Sequence, residues 1–337
     1  MRKKKQLLRN IFGILFIAFI LIHFIPSTLV SQGYMIVSPG VAEDLGTIIS
    51  VKDGYKANID GELLLTAVTT QYATVWDIIS FKIQKPRGVE LDPMSEHLPE
   101  GVDVLEYFDI MTYYMEDSKK KAQTVALRRA GYEVETDNKG VLVSEIMEGS
   151  NAKGKLEKGD IILKVDDKRI EKDSQAVDQI RSHKIGEKVK ITVKRDEKII
   201  VYNIKTVETK QTPDKASLGI MIFSNINYDF PREVIFETKN IAGPSAGGMF
   251  ALEIYNQLVP DDITKGKRIA GTGTIDLDGK IGEIDGVEQK VMAAEKNNAE
   301  LFFSPVVNYE KAAETASKIK VVSVDTFDDM LNYLKRH

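Results

Sequence analysis

The sequence predicts an α+β multidomain chain that begins with a transmembrane helix, and three observations favour this class. Twenty mostly apolar residues at positions 11–30 follow a basic N-terminus. Short β-type segments then mix with helical ones, and after residue 217 strands and helices alternate regularly, as in an α/β unit. The chain has 337 residues, 43% of them hydrophobic, which is enough for two or three compact units.

The composition excludes several classes of function. Lys and Arg total 46 against 50 Asp and Glu, a net charge of -4, so the broad basic surface needed for nucleic acid is missing. Because there is no cysteine, disulfides, cysteine-ligated metals and cysteine nucleophiles are excluded. The sequence also lacks His-Glu-x-x-His and the phosphate loop Gly-x-x-x-x-Gly-Lys-Ser/Thr. We therefore expect no nucleic acid partner, no metal and no cofactor.

Residues 1–32 predict a cytoplasmic tail and a membrane anchor. As a helix, residues 11–30 would span about 30 Å, the thickness of one hydrocarbon core. Five basic residues lie within the first ten positions. The positive-inside rule therefore predicts a single-pass protein of the cell membrane with the rest of the chain on the extracytoplasmic side. A cleaved signal peptide is the alternative, although residues 27–31 offer no clean cleavage site.

Residues 33–120 predict a β-rich extracytoplasmic segment that ends in a connecting helix. Strands are expected at 34–38 and 61–70, where β-branched residues are frequent and turn formers flank the runs. Apolar residues at helical spacing predict a helix over 115–130. We assign no chemistry to this segment.

Residues 121–208 carry the pattern of a small mixed domain. Gly-Val-Leu-Val at 140–143 and Gly-Asp-Ile-Ile-Leu-Lys-Val at 159–165 predict strands, residues 174–183 a helix, and residues 188–193 a further strand. This order resembles the bacterial form of the PDZ domain. The resemblance implies that a peptide adds as a strand beside Val141, Leu142 and Val143, with its side chains against the helix. The alternative is a small domain that only spaces its neighbours.

Residues 209–337 predict an α/β domain. Strands are expected at 218–223, 233–238, 268–275, 300–303 and 320–324, and helices at 245–258, 287–297, 308–317 and 326–334. Gly-Pro-Ser-Ala-Gly-Gly at 243–248 precedes the first helix. The small residues let a substrate backbone approach Ser245, and N–H groups at a helix start can stabilise an oxyanion. The alternative is that Ser245 only caps the helix.

If Ser245 is a nucleophile, the sequence favours lysine as its base. The motif satisfies Gly-x-Ser-x-Gly, so an esterase is a rival, but the only histidine that follows is His337, the last residue. A Ser-His-Asp triad therefore has no well-placed base. Lys290 is the best-placed lysine, because its helical neighbours are small or apolar and could keep the ammonium from water. A surface lysine that reaches solvent remains the alternative.

Three stretches occur together: Gly-Pro-Ser-Ala-Gly-Gly, Ile-Ala-Gly-Thr-Gly-Thr-Ile at 269–275 and Lys-Val-Met-Ala-Ala at 290–294. In order and spacing they resemble the proteolytic domain of Lon-type serine peptidases. The resemblance implies Ser245 as the nucleophile and Lys290 as the general base. It further implies that Thr272 orients the lysine and that the backbone around Gly243 and Ala246 supports the oxyanion.

Two positions depart from the usual Lon pattern. Ala242 replaces an acidic residue that many Lon peptidases carry there, and Asp285 stands where glycine is usual. These changes affect local tuning more than the Ser-Lys dyad itself.

The whole chain resembles the membrane-anchored PDZ-domain Lon-like peptidases of Gram-positive bacteria. The expected function is an ATP-independent serine endopeptidase that cleaves extracytoplasmic peptides or proteins presented by the PDZ-like domain. Lon-type domains commonly assemble as rings, which leaves a homo-oligomer open. The alternative is a membrane-tethered PDZ adaptor with a catalytically idle Lon-like domain.

Overall fold

The structure is a computed structural model of the chain, and it describes residues 6, 10, 12–15, 33–55, 59–94, 104–209, 212–238 and 241–337. The chain divides into two compact units. One contains Met1–Ser38 and Thr69–Glu96, and the other contains Pro39–Val68 and His97–His337. Each unit is described by itself below.

The helices of the described residues are α1 (Leu45–Ile48), α2 (Val75–Gln84), α3 (Val104–Arg129), α4 (Asp173–Arg181), α5 (Gly247–Leu258), α6 (Val287–Lys296), α7 (Tyr309–Thr315) and α8 (Phe327–Arg336). The strands are β1 (Tyr34–Asp44), β2 (Ile49–Val51), β3 (Glu62–Tyr72), β4 (Glu90–Pro93), β5 (Glu135–Ile146), β6 (Ile161–Val165), β7 (Lys168–Arg169), β8 (Lys188–Arg195), β9 (Lys198–Lys205), β10 (Val207–Thr209), β11 (Thr212–Ser217), β12 (Ile220–Asp229), β13 (Val234–Phe236), β14 (Arg268–Gly271), β15 (Thr274–Ile275), β16 (Ile281–Gly282), β17 (Leu301–Pro305) and β18 (Lys320–Val324).

The predicted membrane anchor is not supported. Among the residues that the structure describes, no helix is both long and apolar enough to cross a membrane. Helix α3 has 26 residues, but acidic and basic side chains recur along it. Of the predicted span, only residues 12–15 are described, and the rest lies outside the described residues. The membrane-spanning part of the fold class and the single-pass localisation are therefore corrected.

The smaller unit holds the first residues of β1, the last residues of β3, helix α2 and strand β4. β1 pairs with β4 in antiparallel register, with Tyr34 opposite Pro93 and Val37 opposite Glu90. Helix α2 begins with a capping box in which Thr74 and Asp77 satisfy each other's backbone N–H groups. The sequence pattern predicts only strands over these residues, and helix α2 is a departure from it.

Within the larger unit, one sheet has the strand order β12-β5-β6-β8-β9, with β7 beside β6. Its core combines apolar residues of these strands with Ala176 and Ile180 of α4. Strand β5 is internal, because Val141 pairs with Ile162 on one side and with Ser224 on the other. A peptide therefore cannot add beside Val141, Leu142 and Val143, and that position for the predicted groove is wrong. Among the described strands, β12 ends the sheet on this side.

A second sheet of the larger unit runs in the order β18-β17-β14-β3-β1. Strand β14 is parallel to both of its neighbours, β3 and β17. Successive side chains of β3 point to opposite faces: Leu63 and Leu65 pack in one core with α5 and α8, and Leu64 packs in another with α6 and α7. Strands buried on both faces in this way are typical of a helix–sheet–helix arrangement. The sheet places α5 and α6 on opposite faces of β14.

Helix α3 belongs to the core of this second sheet. Met115, Ala122 and Ala126 are buried in the same cluster as Phe250 of α5. The predicted helix over 115–130 is confirmed up to Arg129, but the helix begins earlier than predicted, at Val104. This longer helix reaches the loop before α5.

Candidate active site

Ser245 lies in the loop of residues 243–246 that leads into α5. Helix α5 begins at Gly247 and its N-cap is Ala246, so Ser245 does not cap the helix as the alternative interpretation required. Gly243 has a φ of 97°, a left-handed conformation that glycine adopts without strain. The loop therefore turns sharply just before the half-buried Ser245 side chain.

Lys290 lies in the first half of α6, and its ammonium reaches Ser245. Nζ donates a hydrogen bond to Oγ of Ser245 at 2.9 Å. Lys290 is only 3% exposed, and Val287, Ala293 and Ala294, its neighbours along the helix, are buried as well. The alternative of a surface lysine that reaches water is thus wrong. A helical face of small and apolar residues around one lysine was a sufficient sequence signal to predict that Lys290 is buried.

Burial lowers the pKa of Lys290 from 10.5 to about 8, while the negative charge of Asp285 acts in the opposite direction and raises it. The cause of the lowering is that an ammonium ion loses hydration inside the protein. With a pKa of about 8, roughly half of the molecules carry a neutral amine at pH 8 and about a tenth at pH 7. A neutral amine next to a hydroxyl can accept its proton.

Thr272 fixes the backbone of Ser245. Its hydroxyl donates to the Ser245 carbonyl oxygen at 3.0 Å, and the Gly273 N–H donates to the same oxygen at 2.8 Å. The sequence predicted that Thr272 orients the lysine; its hydroxyl donates instead to the serine backbone. The predicted strand over 268–275 is interrupted here, because Gly273 has a φ of 147° and a side chain there would collide with Ile281.

The candidate oxyanion donors differ in their availability. The Gly243 N–H donates to the carbonyl oxygen of Met111 at 2.9 Å, so in this geometry it is already engaged. Within the described residues the backbone N–H groups of Ser245 and Ala246 make no hydrogen bond. These two N–H groups are therefore available to an acceptor, whereas that of Gly243 is not.

Sequence reasoning missed two residues next to the loop. Met111 and Ser118 of α3 both contact it, and the Ser118 hydroxyl donates to the carbonyl oxygen of Pro244 at 3.1 Å across 126 residues of sequence. No local pattern could have indicated them. As to metals, the described part of the chain has no group of three or more His, Asp or Glu side chains that could hold an ion.

Comparisons with known proteins give two family matches. Residues 119–206 match the family described as PDZ domain, and residues 238–336 match the family described as Lon protease (S16) C-terminal proteolytic domain. The PDZ domain of the SdrC-like protein from Listeria monocytogenes is 28% identical, covering 25% of this chain and 86% of that one with a TM-score of 0.23.

The curated relatives are Lon proteases. That of Campylobacter jejuni is 35% identical over 96 residues, which are 27% of this chain and 12% of the relative. That of Campylobacter concisus is 38% identical, covering 26% and 11%, and Lon protease 2 of Bacillus subtilis is 33% identical, covering 27% and 16%. The chain thus spans only a small part of the length of these relatives. Because they include both Campylobacter and Bacillus proteins, the comparisons do not support a restriction to Gram-positive bacteria.

The chain carries a PDZ domain followed by the C-terminal proteolytic domain of the Lon (S16) proteases.

Proposed function

We propose that this protein is an ATP-independent serine endopeptidase in which Ser245 is the nucleophile and Lys290 the general base. The observation that carries the proposal is the 2.9 Å hydrogen bond between a buried lysine and a serine in a turn of small residues. The match to the Lon proteolytic domain independently supports a peptidase.

The geometry fits acyl transfer. The neutral amine of Lys290 accepts the Oγ proton while Oγ attacks the substrate carbonyl, and the resulting oxyanion accepts hydrogen bonds from the N–H groups of Ser245 and Ala246. The ammonium then donates that proton to the departing amine, which leaves an ester on Ser245. In the second half, the amine accepts a proton from water as it attacks the ester, and returns it to Oγ.

Thr272 contributes to the proposed reaction by holding the loop. Its hydroxyl and the Gly273 N–H both bind the Ser245 carbonyl oxygen, so this peptide group cannot rotate freely. The Ser245 side chain and the following N–H group are thereby kept in a fixed relation to Lys290. Such preorganised donors lose little free energy to reorganisation during the reaction.

The substrate is proposed to be an exposed or unfolded segment of a peptide or protein. The sequence contains no phosphate loop of the kind that an ATP-driven unfoldase uses. We therefore expect cleavage to proceed without ATP. Assembly of the chain into a ring stays a prediction.

We further propose that substrate is presented at the outer edge of β12, the strand that extends the sheet of the PDZ domain beyond its matched residues 119–206. Among the described strands, β12 is paired only with β5. Helix α4 lies beside it, and the Asp173 N–H at the start of α4 donates to the Ser224 hydroxyl of β12 at 2.9 Å. A free strand edge next to a helix is the arrangement on which peptides add as an extra strand.

Cleavage of an unfolded protein by the full chain, without ATP, tests the catalytic proposal. Ser245→Ala and Lys290→Ala should each reduce the rate by about 10³-fold or more, because they remove the nucleophile or its base. Lys296→Ala, on the exposed end of the same helix, should leave the rate unchanged and serves as the control.

Three other outcomes would count against the proposal, and two of them would support a rival. Equal cleavage by wild type and Ser245→Ala would refute the mechanism. An esterase would hydrolyse small acyl esters and retain this activity in Lys290→Ala, and an idle adaptor would show no difference between the wild type and any variant.

A further inference from the structure

Helix α3 reaches the nucleophile from outside the matched proteolytic domain. The match covers residues 238–336, whereas α3 spans Val104–Arg129. The PDZ match begins within α3, at residue 119, so Met111 and Ser118 lie outside both matched segments. Its contacts with the loop of residues 243–246 are therefore not part of the segment that defines the proteolytic family. Together with a close approach at Gly247, they lie on both sides of Ser245.

The first contacts lie immediately before Ser245. The Gly243 N–H donates to the carbonyl oxygen of Met111 at 2.9 Å, and the Ser118 hydroxyl donates to the carbonyl oxygen of Pro244 at 3.1 Å. Ser118 is 3% exposed, so water does not readily replace this bond. Two of the three peptide groups between residues 242 and 245, the first and the last, are thus bound to one helix.

The next contact lies after Ser245, at Gly247. A side-chain carbon on Gly247 would stand 2.7 Å from the Ser118 hydroxyl oxygen and 2.7 Å from Ile275. Only a glycine allows α3 to approach this closely. Ser118 therefore touches the chain on either side of Ser245, although Ser118 itself does not touch the reacting atoms.

Helix α3 is held firmly enough to act as a support. Met115 and Ala122 are buried in the core that also contains α5. On the side of the β12–β5 sheet, the ring centroid of Tyr113 lies 3.9 Å from that of Phe223 in β12, and the ring centroid of Tyr114 lies 4.8 Å from it. The helix that contacts the loop is thus packed against both α5 and β12.

We propose that Ser118 is a positioning residue for the nucleophile, and that it acts through Pro244 and the close approach at Gly247. Its effect on catalysis rests on the proposed function, whereas its effect on the loop does not. Loss of the hydroxyl leaves the Pro244 carbonyl without this donor and lets the loop move relative to Lys290. A displacement of about 1 Å at a reacting group can lower a rate by about 100-fold.

The experiment compares Ser118→Ala with a matched control, Thr124→Val, in the full chain. Thr124 is a buried hydroxyl of the same helix, but its bond of 2.8 Å goes to the carbonyl oxygen of Lys120 within α3. Two quantities are measured: kcat and KM for an unfolded peptide, and amide hydrogen exchange at Gly243 and Gly273, whose N–H groups bind Met111 and Ser245. Melting temperatures verify that both variants are folded.

The expected result is specific to Ser118→Ala. Exchange at Gly243 and Gly273 accelerates by about tenfold or more, and kcat falls by about 10- to 100-fold with KM within twofold of wild type. Thr124→Val should match wild type in both measurements.

Three results would overturn the inference. Unchanged exchange in Ser118→Ala would show that the hydroxyl does not hold the loop, and this holds even if the protein proves not to be a peptidase. Faster exchange with unchanged kcat would show that the loop position does not matter for catalysis. Equal losses in both variants would indicate a general weakening of α3. Failure of the proposed function looks different, because wild type and Ser245→Ala would then cleave at the same rate.

Discussion

A change of pH tests the state of Lys290 directly. Burial lowers its pKa from 10.5 to about 8 against the opposing charge of Asp285. The neutral fraction rises from about 1% at pH 6 to about half at pH 8, so kcat/KM for peptide cleavage should rise about 50-fold over this range and level off above about pH 9. A lysine with an unperturbed pKa would give a profile that keeps rising to about pH 10.5.

Replacement of Asp285 by asparagine sharpens this test. Because the Asp285 charge raises the pKa of Lys290, Asp285→Asn should move the rising limb of the profile to lower pH and increase the rate at pH 7. Asp261→Asn changes an exposed carboxylate elsewhere and serves as the control. The assay is steady-state cleavage of a fluorogenic peptide between pH 5.5 and 10. A limb that stays in place, or moves to higher pH, would refute the reasoning about Lys290.

Two further predictions concern stability. Because the pKa of Lys290 is lower in the folded than in the unfolded chain, its charge costs stability below about pH 8, and this cost disappears as the pH rises toward about 10.5. Lys290→Met should therefore raise the free energy of unfolding by about 3 kcal/mol at pH 7 and by much less at pH 10, and equal gains at both would contradict this explanation. Arg195→Met should destabilise the chain by about 3 kcal/mol, because Asp160 is 1% exposed and loses two hydrogen bonds of 2.7 and 2.8 Å from the guanidinium. Denaturant unfolding measures both, and a loss below about 1 kcal/mol for Arg195→Met would show that Asp160 does not depend on this partner.

The proximity of Ser245 and Lys290 could be anticipated because local patterns carried the information. A small-residue turn before a helix and one lysine on an apolar helical face are both visible in the sequence. Parallel strands such as β14 and β17 bring the elements that follow them to one edge of the sheet. The local fold of the C-terminal segment was predictable for the same reason.

The edge that we propose for peptide binding could not be identified from the sequence. Alternating or continuous apolar residues indicate that Val141 and Val143 are buried, but they do not show which strands pair with them. Strand β12, which occupies the expected groove beside β5, comes about 80 residues later in the chain. Pairing at such sequence distances depends on the whole fold.

The first half of α3 was missed for a different reason. Tyr107, Phe108, Tyr113 and Tyr114 favour strands over helices as residue types, so the local preference is weak. Packing of Tyr113 and Tyr114 against Phe223 supplies the stabilisation that the intrinsic helix propensity lacks. The contact of Ser118 with Pro244 likewise exists only once the fold has formed.

The most direct test of the central claim is to trap the acyl-enzyme and locate the acyl group. The full chain is mixed with an activated peptide ester at pH 9, quenched in acid after a few seconds, digested and measured by mass spectrometry. The proposal predicts the added acyl mass on the fragment that contains Ser245, and little or none in Ser245→Ala or Lys290→Met. An acyl group on another residue, or equal labelling of wild type and Lys290→Met, would contradict it.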